Sequence, residues 1–204
     1  MKKFKLPFAL PSGVIPVVTQ FYGDSSRAQW YKDHGLNMPS HNGIDFVIKR
    51  IDEEDPFITY GTKLVCPFPA ADLSMTWFTD PMSTTGNGIQ IGFDIGADRY
   101  NLILWHCSEI VVKPSYKEGD TVGYVGNSGL VDPPPTLAKP FAGAHLHMGL
   151  RKNNVLIDPL ELFDLTQWFT STGDTPQEKD LPPFFWVVAA IKKQVDALMK
   201  KYGK

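Results

Sequence analysis

The chain has 204 residues, of which 43% are hydrophobic and 21% are charged. This length fits one sizeable domain, alone or with a short appendage, and the composition is ordinary for a globular protein. The net charge of -2 gives no support to a nucleic-acid-binding role. Cys66 and Cys107 form no CxxC pair, which excludes a four-cysteine zinc site and a thioredoxin motif. Two reduced thiols are the simpler expectation, because disulfides need an oxidising compartment.

The segment 1–40 predicts an N-terminal extension and loop, not a targeting signal. Three lysines give it a basic start, but prolines at positions 7, 11 and 16 interrupt the apolar stretch that follows. A secretory signal needs an unbroken apolar run of about 7–15 residues, and a membrane span needs about 18. We therefore expect synthesis in the cytoplasm without a signal peptide and no transmembrane span.

Residues 41–165 predict a mainly β domain. In 41–49, the apolar side chains of Ile44, Phe46 and Ile48 alternate as they do in a half-buried strand. Further strands are predicted at 61–68, 86–94 and 100–108, a tight hairpin at 118–129, and two short strands at 144–158 around a turn at Lys152–Asn154. Short strands at this spacing are typical of an antiparallel β-sheet sandwich or barrel.

The C-terminal part predicts a linker at 166–183 and an amphipathic helix at 184–202. One helical stripe is formed by Phe184, Val188, Ile191, Val195, Leu198 and Tyr202. This helix can pack on its own domain, or it can dock on a partner such as a virion particle or a membrane surface.

Four of the five histidines lie in predicted strands or at their ends. His145 and His147 are two positions apart, so a strand points both side chains to the same face. His41 and Asp45 are four positions apart, about 13 Å along a straight strand, which is too far for one metal ion. Either a bend or bulge at Gly43, or a loop position for His41, must therefore bring them together.

These residues supply the parts of a catalytic zinc site, which has three protein ligands and an open fourth position. His41, Asp45 and one histidine of the HxH pair would give two nitrogens and one oxygen. Zinc would lower the pKa of its bound water to about 7 and polarise a carbonyl. The other histidine of that pair and His106 remain to take a proton and to hold an oxyanion. His34 is expected to be a solvated loop residue.

The chain resembles the lysostaphin/LytM-type zinc endopeptidases, which cleave peptide bonds in bacterial peptidoglycan. The motifs HNGIDF, GTKLVCPF, GNGIQIGFD, LILWHCS, EGDTVGYVGNSG and AHLHMGL occur in the order of that family, over about 41–163. The resemblance implies the family's antiparallel β-sheet fold (the duplicated hybrid motif), with its site in an open groove. The family includes phage-encoded lysis enzymes and wall-piercing parts of virions.

The site residues of this family correspond to five positions of this sequence. The resemblance implies that His41, Asp45 and His147 bind one Zn²⁺ ion, and that His145 and His106 are the catalytic pair around the water and the oxyanion. The implied partner is a peptidoglycan peptide, reached after delivery by lysis or in a phage particle.

Three departures from the family concern the groove. Loop 130–143 contains Pro133–Pro135 and is longer than usual, 49–60 is extended and acidic, and LWHCS replaces the commoner tyrosine-containing form. A catalytically silent LytM-like module, such as a virion component or hydrolase activator, is the alternative to an enzyme. It would be favoured if Pro133–Pro135 or Phe141 packed over the metal. A zinc peptidase acting on proteins is a third hypothesis, although no HExxH motif is present.

Overall fold

The computed structural model describes residues 3–51, 58–69 and 74–165, which contain an antiparallel sheet of nine strands. The strands are β1 (Val14–Gln20), β2 (Ile44–Arg50), β3 (Lys63–Val65), β4 (Ser74–Thr79), β5 (Asn87–Ile95), β6 (Asp98–Ile110), β7 (Thr121–Val125), β8 (Leu146–Lys152) and β9 (Val155–Ile157). A helix α1 (Ala28–Asp33) and a 3-10 turn (Pro159–Glu161) complete the described elements. None of the helices in these ranges is long and apolar enough to span a membrane.

The sheet runs in the order β1-β2-β8-β6-β5-β4, while β7 pairs with β3 and β6, and β9 pairs with β8. The mainly antiparallel β fold predicted from the sequence is therefore confirmed. In the part of the chain that the structure describes, the strands form one hydrogen-bonded sheet and not two separate ones. The predicted linker at 166–183 and helix at 184–202 lie outside the described residues.

Strand β2 separates the core from the site. Ile44, Phe46 and Ile48 are fully buried, whereas Asp45 and Val47 are only partly buried. Because successive side chains of a strand point to opposite faces, Asp45 and Val47 share the face that looks away from the core.

The N-terminal segment belongs to the sheet, which corrects the prediction that 1–40 is only an extension and loop. Strand β1 pairs along β2, with Val14 opposite Arg50 and Val18 opposite Phe46. Pro16 is tolerated because β1 is an edge strand, where a missing backbone donor leaves no ladder bond unmade.

The segment 118–129 does not form the predicted hairpin, because it contains a single strand that pairs with β3 and β6. Gly123 and Gly126 serve the close approach of strands, whereas Gly119 lies in a turn with a φ of 84°. A Cβ on Gly126 would lie 2.3 Å from the backbone nitrogen of Ser108, and a Cβ on Gly123 would lie 2.7 Å from the carbonyl oxygen of Glu109. Gly123 and Gly126 therefore indicate strand packing and not a turn.

Strand β6 carries a bulge beside the site. Leu104 pairs with Ile89, but Cys107 pairs with Asn87, so β6 has one residue more than β5 over this interval. His106 lies at the extra residue with a φ of 64°. A non-glycine residue in this left-handed region is strained, and such strain is found most often at functional sites.

Candidate metal centre

The three predicted metal ligands come together at the junction of β2 and β8. Asp45 on β2 and His147 on β8 are direct partners in the antiparallel ladder. His41 lies in the loop before β2, where its backbone nitrogen donates to Asp24 and its carbonyl accepts from Gly23, both at 2.8 Å. Of the two arrangements that the sequence left open, the structure has the loop position for His41.

Their donor atoms form a small triangle. His41 Nε2 lies 3.1 Å from His147 Nδ1 and 3.1 Å from Asp45 Oδ1, and His147 Nδ1 lies 2.9 Å from Asp45 Oδ1. Ligand atoms about 2.0–2.1 Å from a tetrahedral zinc ion are about 3.3 Å from one another. The triangle is close to that size, so this cluster could bind a metal ion.

The surroundings of His41 leave its Nε2 free to be a ligand. His41 Nδ1 donates to the carbonyl oxygen of Phe21 at 3.2 Å. A carbonyl can only accept, so Nδ1 carries a proton and Nε2 is the nitrogen that remains to bind a metal ion. Such a bond to the second nitrogen is the usual support of a metal-binding histidine.

Gly43 gives the His147 ring its space. A Cβ on Gly43 would lie 2.7 Å from Cε1 and Nε2 of His147 and 2.7 Å from the carbonyl oxygen of Met148. The sequence singled out Gly43 as a bend, but its observed role is close approach between β8 and the loop before β2.

The electrostatics of the cluster keep Asp45 charged and His147 neutral. Burial alone would raise the pKa of Asp45, but hydrogen bonds with His147 and His41 lower it well below its usual value. Burial lowers the pKa of His147, against the opposing effect of Asp45. A carboxylate and neutral imidazoles are the protonation states in which these side chains bind metals.

His145 and His106 lie beside this triangle. His145 Nδ1 donates to the Gly143 carbonyl and His106 Nδ1 donates to the Ser128 carbonyl, both at 2.8 Å. In each ring Nδ1 is therefore the protonated nitrogen that faces a carbonyl, and Nε2 of His145 is 3.8 Å from Asp45 Oδ2. The two rings have centroids 4.5 Å apart. Burial lowers the pKa of His106 to about 3, so this ring is neutral near pH 7.

Two aromatic residues of the site were not predicted from the sequence. The bulge in β6 turns both Trp105 and His106 towards the cluster, and the Trp105 ring stacks on His147 with centroids 4.9 Å apart and planes at 14°. Tyr31 of α1 is buried, lies parallel to the His41 ring at 6.5 Å and donates to Gln20 Oε1 at 3.0 Å. The alternation of side chains along a strand predicts neither a β-bulge nor a contact from α1, so these two residues could not be predicted from the pattern.

The site opens into a cleft of about 220 Å³. The segment around α1 forms one wall and the start of loop 130–143 forms another, with Arg27 and Asp132 paired between them. Phe141 does not lie over the metal ligands. Its ring packs against the ring of Tyr60, with centroids 4.4 Å apart, and Phe141 and Pro133 line a different cleft. The packing that would favour a silent module is therefore not the one observed.

The remaining histidine and the cysteines lie away from the cluster. His34 is exposed, and its ring stacks on Trp30 with centroids 4.1 Å apart. Cys66 and Cys107 are both free and buried. Burial raises the pKa of the Cys107 thiol to about 12, so it is not an activated nucleophile.

Comparison with solved structures shows which fold this is. The chain superimposes on a zinc-containing peptidase from Vibrio cholerae with a TM-score of 0.51 and 17% identity, covering 78% of this chain and 40% of that one. It thus spans less than half of that protein. The resemblance to the LytM-type zinc metallopeptidases is confirmed at the level of the fold.

Two further structures are similar at lower TM-scores. They are the catalytic domain of the prophage-encoded M23 protein EnpA from Enterococcus faecalis (TM-score 0.46, 23% identity, 76% of this chain and 94% of that one) and the catalytic domain of the antimicrobial peptidase lysostaphin from Staphylococcus simulans (0.46, 20%, 71% and 90%). No family model matches the sequence, and no curated protein matches it either.

Proposed function

We propose that this protein is a zinc-dependent endopeptidase that hydrolyses peptide bonds in bacterial peptidoglycan. The observation that carries the proposal is the triangle of His41, Asp45 and His147 donor atoms, with His145 and His106 beside it. Two imidazole nitrogens and one carboxylate oxygen make a donor set that suits zinc, and three protein ligands are the number found in catalytic zinc sites.

When bound, zinc supplies a Lewis acid that polarises the scissile carbonyl and acidifies water. His145 presents Nε2 to the cluster and can accept a proton from the attacking water, while its Nδ1 remains bonded to Gly143. The imidazolium so formed can donate that proton to the departing amine. His106 lies beside His145, with ring centroids 4.5 Å apart. It can stabilise the oxygen on which negative charge develops only as a donor through Nε2. Because its pKa is about 3, this donor must come from moving the neutral ring's proton from Nδ1 to Nε2 and not from protonating the ring.

Peptidoglycan as the substrate is supported by the order and spacing of the family motifs and by the shared fold. Delivery by lysis or in a phage particle is part of this proposal, because the wall lies outside the compartment of synthesis. Docking through the predicted helix at 184–202 is supported only by its apolar stripe.

The test is the substitution His147→Ala with His34→Ala as the matched control. Each protein is measured for zinc content by mass spectrometry, for thermal unfolding, and for release of soluble fragments from isolated sacculi. We expect His147→Ala to lose both zinc and hydrolysis, and His34→Ala to keep both. Hydrolysis that survives in a zinc-free His147→Ala protein would refute the ligand assignment.

A further inference from the structure

A second cleft, of about 450 Å³, lies next to the metal centre. Loop 130–143 contributes to both clefts: Val131 and Asp132 line the first, whereas Pro133 and Phe141 line the second. Within the described residues, those that line the second cleft are all uncharged. It therefore suits an apolar group and not a carboxylate or an ammonium group, whose burial without a partner is unfavourable.

Strand β2 connects the second cleft to the metal centre. Asp45 and Val47 lie on the same face of β2, two residues and about 6.6 Å apart at ~3.3 Å per residue. Thr19, which lines the second cleft with Val47, donates its hydroxyl to the Asp45 carbonyl at 3.4 Å. Ala144 of the same cleft directly precedes His145. The second cleft is therefore directly adjacent to the metal centre.

Two exposed aromatic rings form the outer side of this cleft. Tyr60 and Phe141 have ring centroids 4.4 Å apart and are 40% and 60% exposed. The backbone around Phe141 is fixed, because Asn127 Nδ2 donates to the carbonyls of Pro140 and Ala142, both at 2.9 Å. An apolar surface that is held in place before binding loses little conformational entropy when a ligand arrives.

We propose that Thr19, Val47, Tyr60 and Phe141 form an aromatic subsite that binds an apolar side chain of the peptide substrate, about two residues from the cleaved bond. An extended peptide advances ~3.3 Å per residue, so two residues span the distance from Asp45 to Val47. The proposal rests on the proposed function, and it adds a requirement for an apolar residue at one defined distance from the scissile bond.

The experiment compares wild type with Phe141→Ala, and uses Leu137→Ala as the matched control. Leu137 is a fully exposed apolar residue of the same loop. The substrates are synthetic peptides that span the bond found by mass analysis of sacculus digests, with each apolar side chain in turn reduced to glycine. Thermal unfolding of all three proteins checks that the fold is intact.

For wild type and Leu137→Ala, we expect one such replacement, about two residues from the bond, to lower kcat/KM by about tenfold, as loss of a small apolar group from a pocket does. For Phe141→Ala, the same replacement should have little effect, because the partner ring is already gone. Equal losses in wild type and Phe141→Ala at every position would overturn the subsite.

Failure of the proposed function has a different signature. If wild type cleaves no sacculus, co-sedimentation of the same three proteins with sacculi measures binding alone. Weaker binding by Phe141→Ala, with Leu137→Ala equal to wild type, would support the subsite. Equal binding by all three proteins would overturn it.

Discussion

Substitution of Gly43 by alanine probes the packing that holds the metal centre. The added Cβ would lie 2.7 Å from two atoms of the His147 ring and 2.7 Å from the Met148 carbonyl oxygen. Favourable carbon contacts are about 3.5–4.0 Å long, so the ring or the strand must shift by about 1 Å. The shift would disturb the contacts of 2.9 Å and 3.1 Å that His147 Nδ1 makes with Asp45 and His41.

We expect Gly43→Ala to lower the free energy of unfolding by about 1–3 kcal/mol, the usual cost of overpacking. We also expect zinc affinity to fall by about 10–100-fold, as it does when the support of a metal ligand is altered. Urea denaturation of the metal-free protein measures the first effect, and competition with a chromogenic chelator measures the second.

Gly149→Ala is the matched control, because its Cβ would meet Ile103 at 3.5 Å and 3.7 Å and the Asn42 carbonyl at 3.8 Å, which are ordinary contacts. It should leave zinc affinity unchanged. If Gly43→Ala binds zinc as tightly and unfolds at the same urea concentration as wild type, the packing argument is wrong.

Two other predictions concern neighbours of the triangle. The folded pKa of His106 is about 3, below the unfolded value of 6.5, so the unfolded chain binds a proton that the folded chain does not. Stability of the metal-free protein should therefore fall as pH drops from about 6.5 towards 3, by up to about 1.4 kcal/mol per pH unit from His106 alone. His147, whose pKa burial also lowers, adds to this slope. The lowered pKa of Asp45 acts in the same direction at the acid end. His106→Asn, which tolerates the left-handed backbone, should flatten this slope in urea titrations, and an unchanged slope would contradict the assignment. Trp105→Leu removes the ring stacked on His147 and should weaken zinc binding by about tenfold or more, while an unchanged dissociation constant would mean that the stacking does not position this ligand.

Strand alternation accounts for the part of the fold that the sequence predicted. The apolar period of Ile44, Phe46 and Ile48 predicted β2 and left Asp45 on the opposite face, and the predicted turn at 152–154 contains Asn153 and Asn154 with positive φ. Both features are local, so they could be read from neighbouring residues.

The elements that the sequence missed depend on long-range pairing. Strand β1 contains Pro16 and is a strand because β2 provides its partners, while β4 is almost wholly exposed and has no apolar period. The bulge at His106 exists only relative to the register of β5, and the loop position of His41 depends on backbone bonds to Gly23 and Asp24. The sequence therefore predicted which residues form the candidate site better than how they meet.

Mass analysis of muropeptides tests the central claim most directly. Zinc-loaded wild type and His145→Ala are incubated with isolated Gram-negative and Gram-positive sacculi, and the released fragments are identified. We predict new peptide termini in the wild-type digests alone, at one kind of bond. Zinc-loaded wild type that releases no fragment from either wall, or equal release by His145→Ala, would contradict hydrolysis by this site.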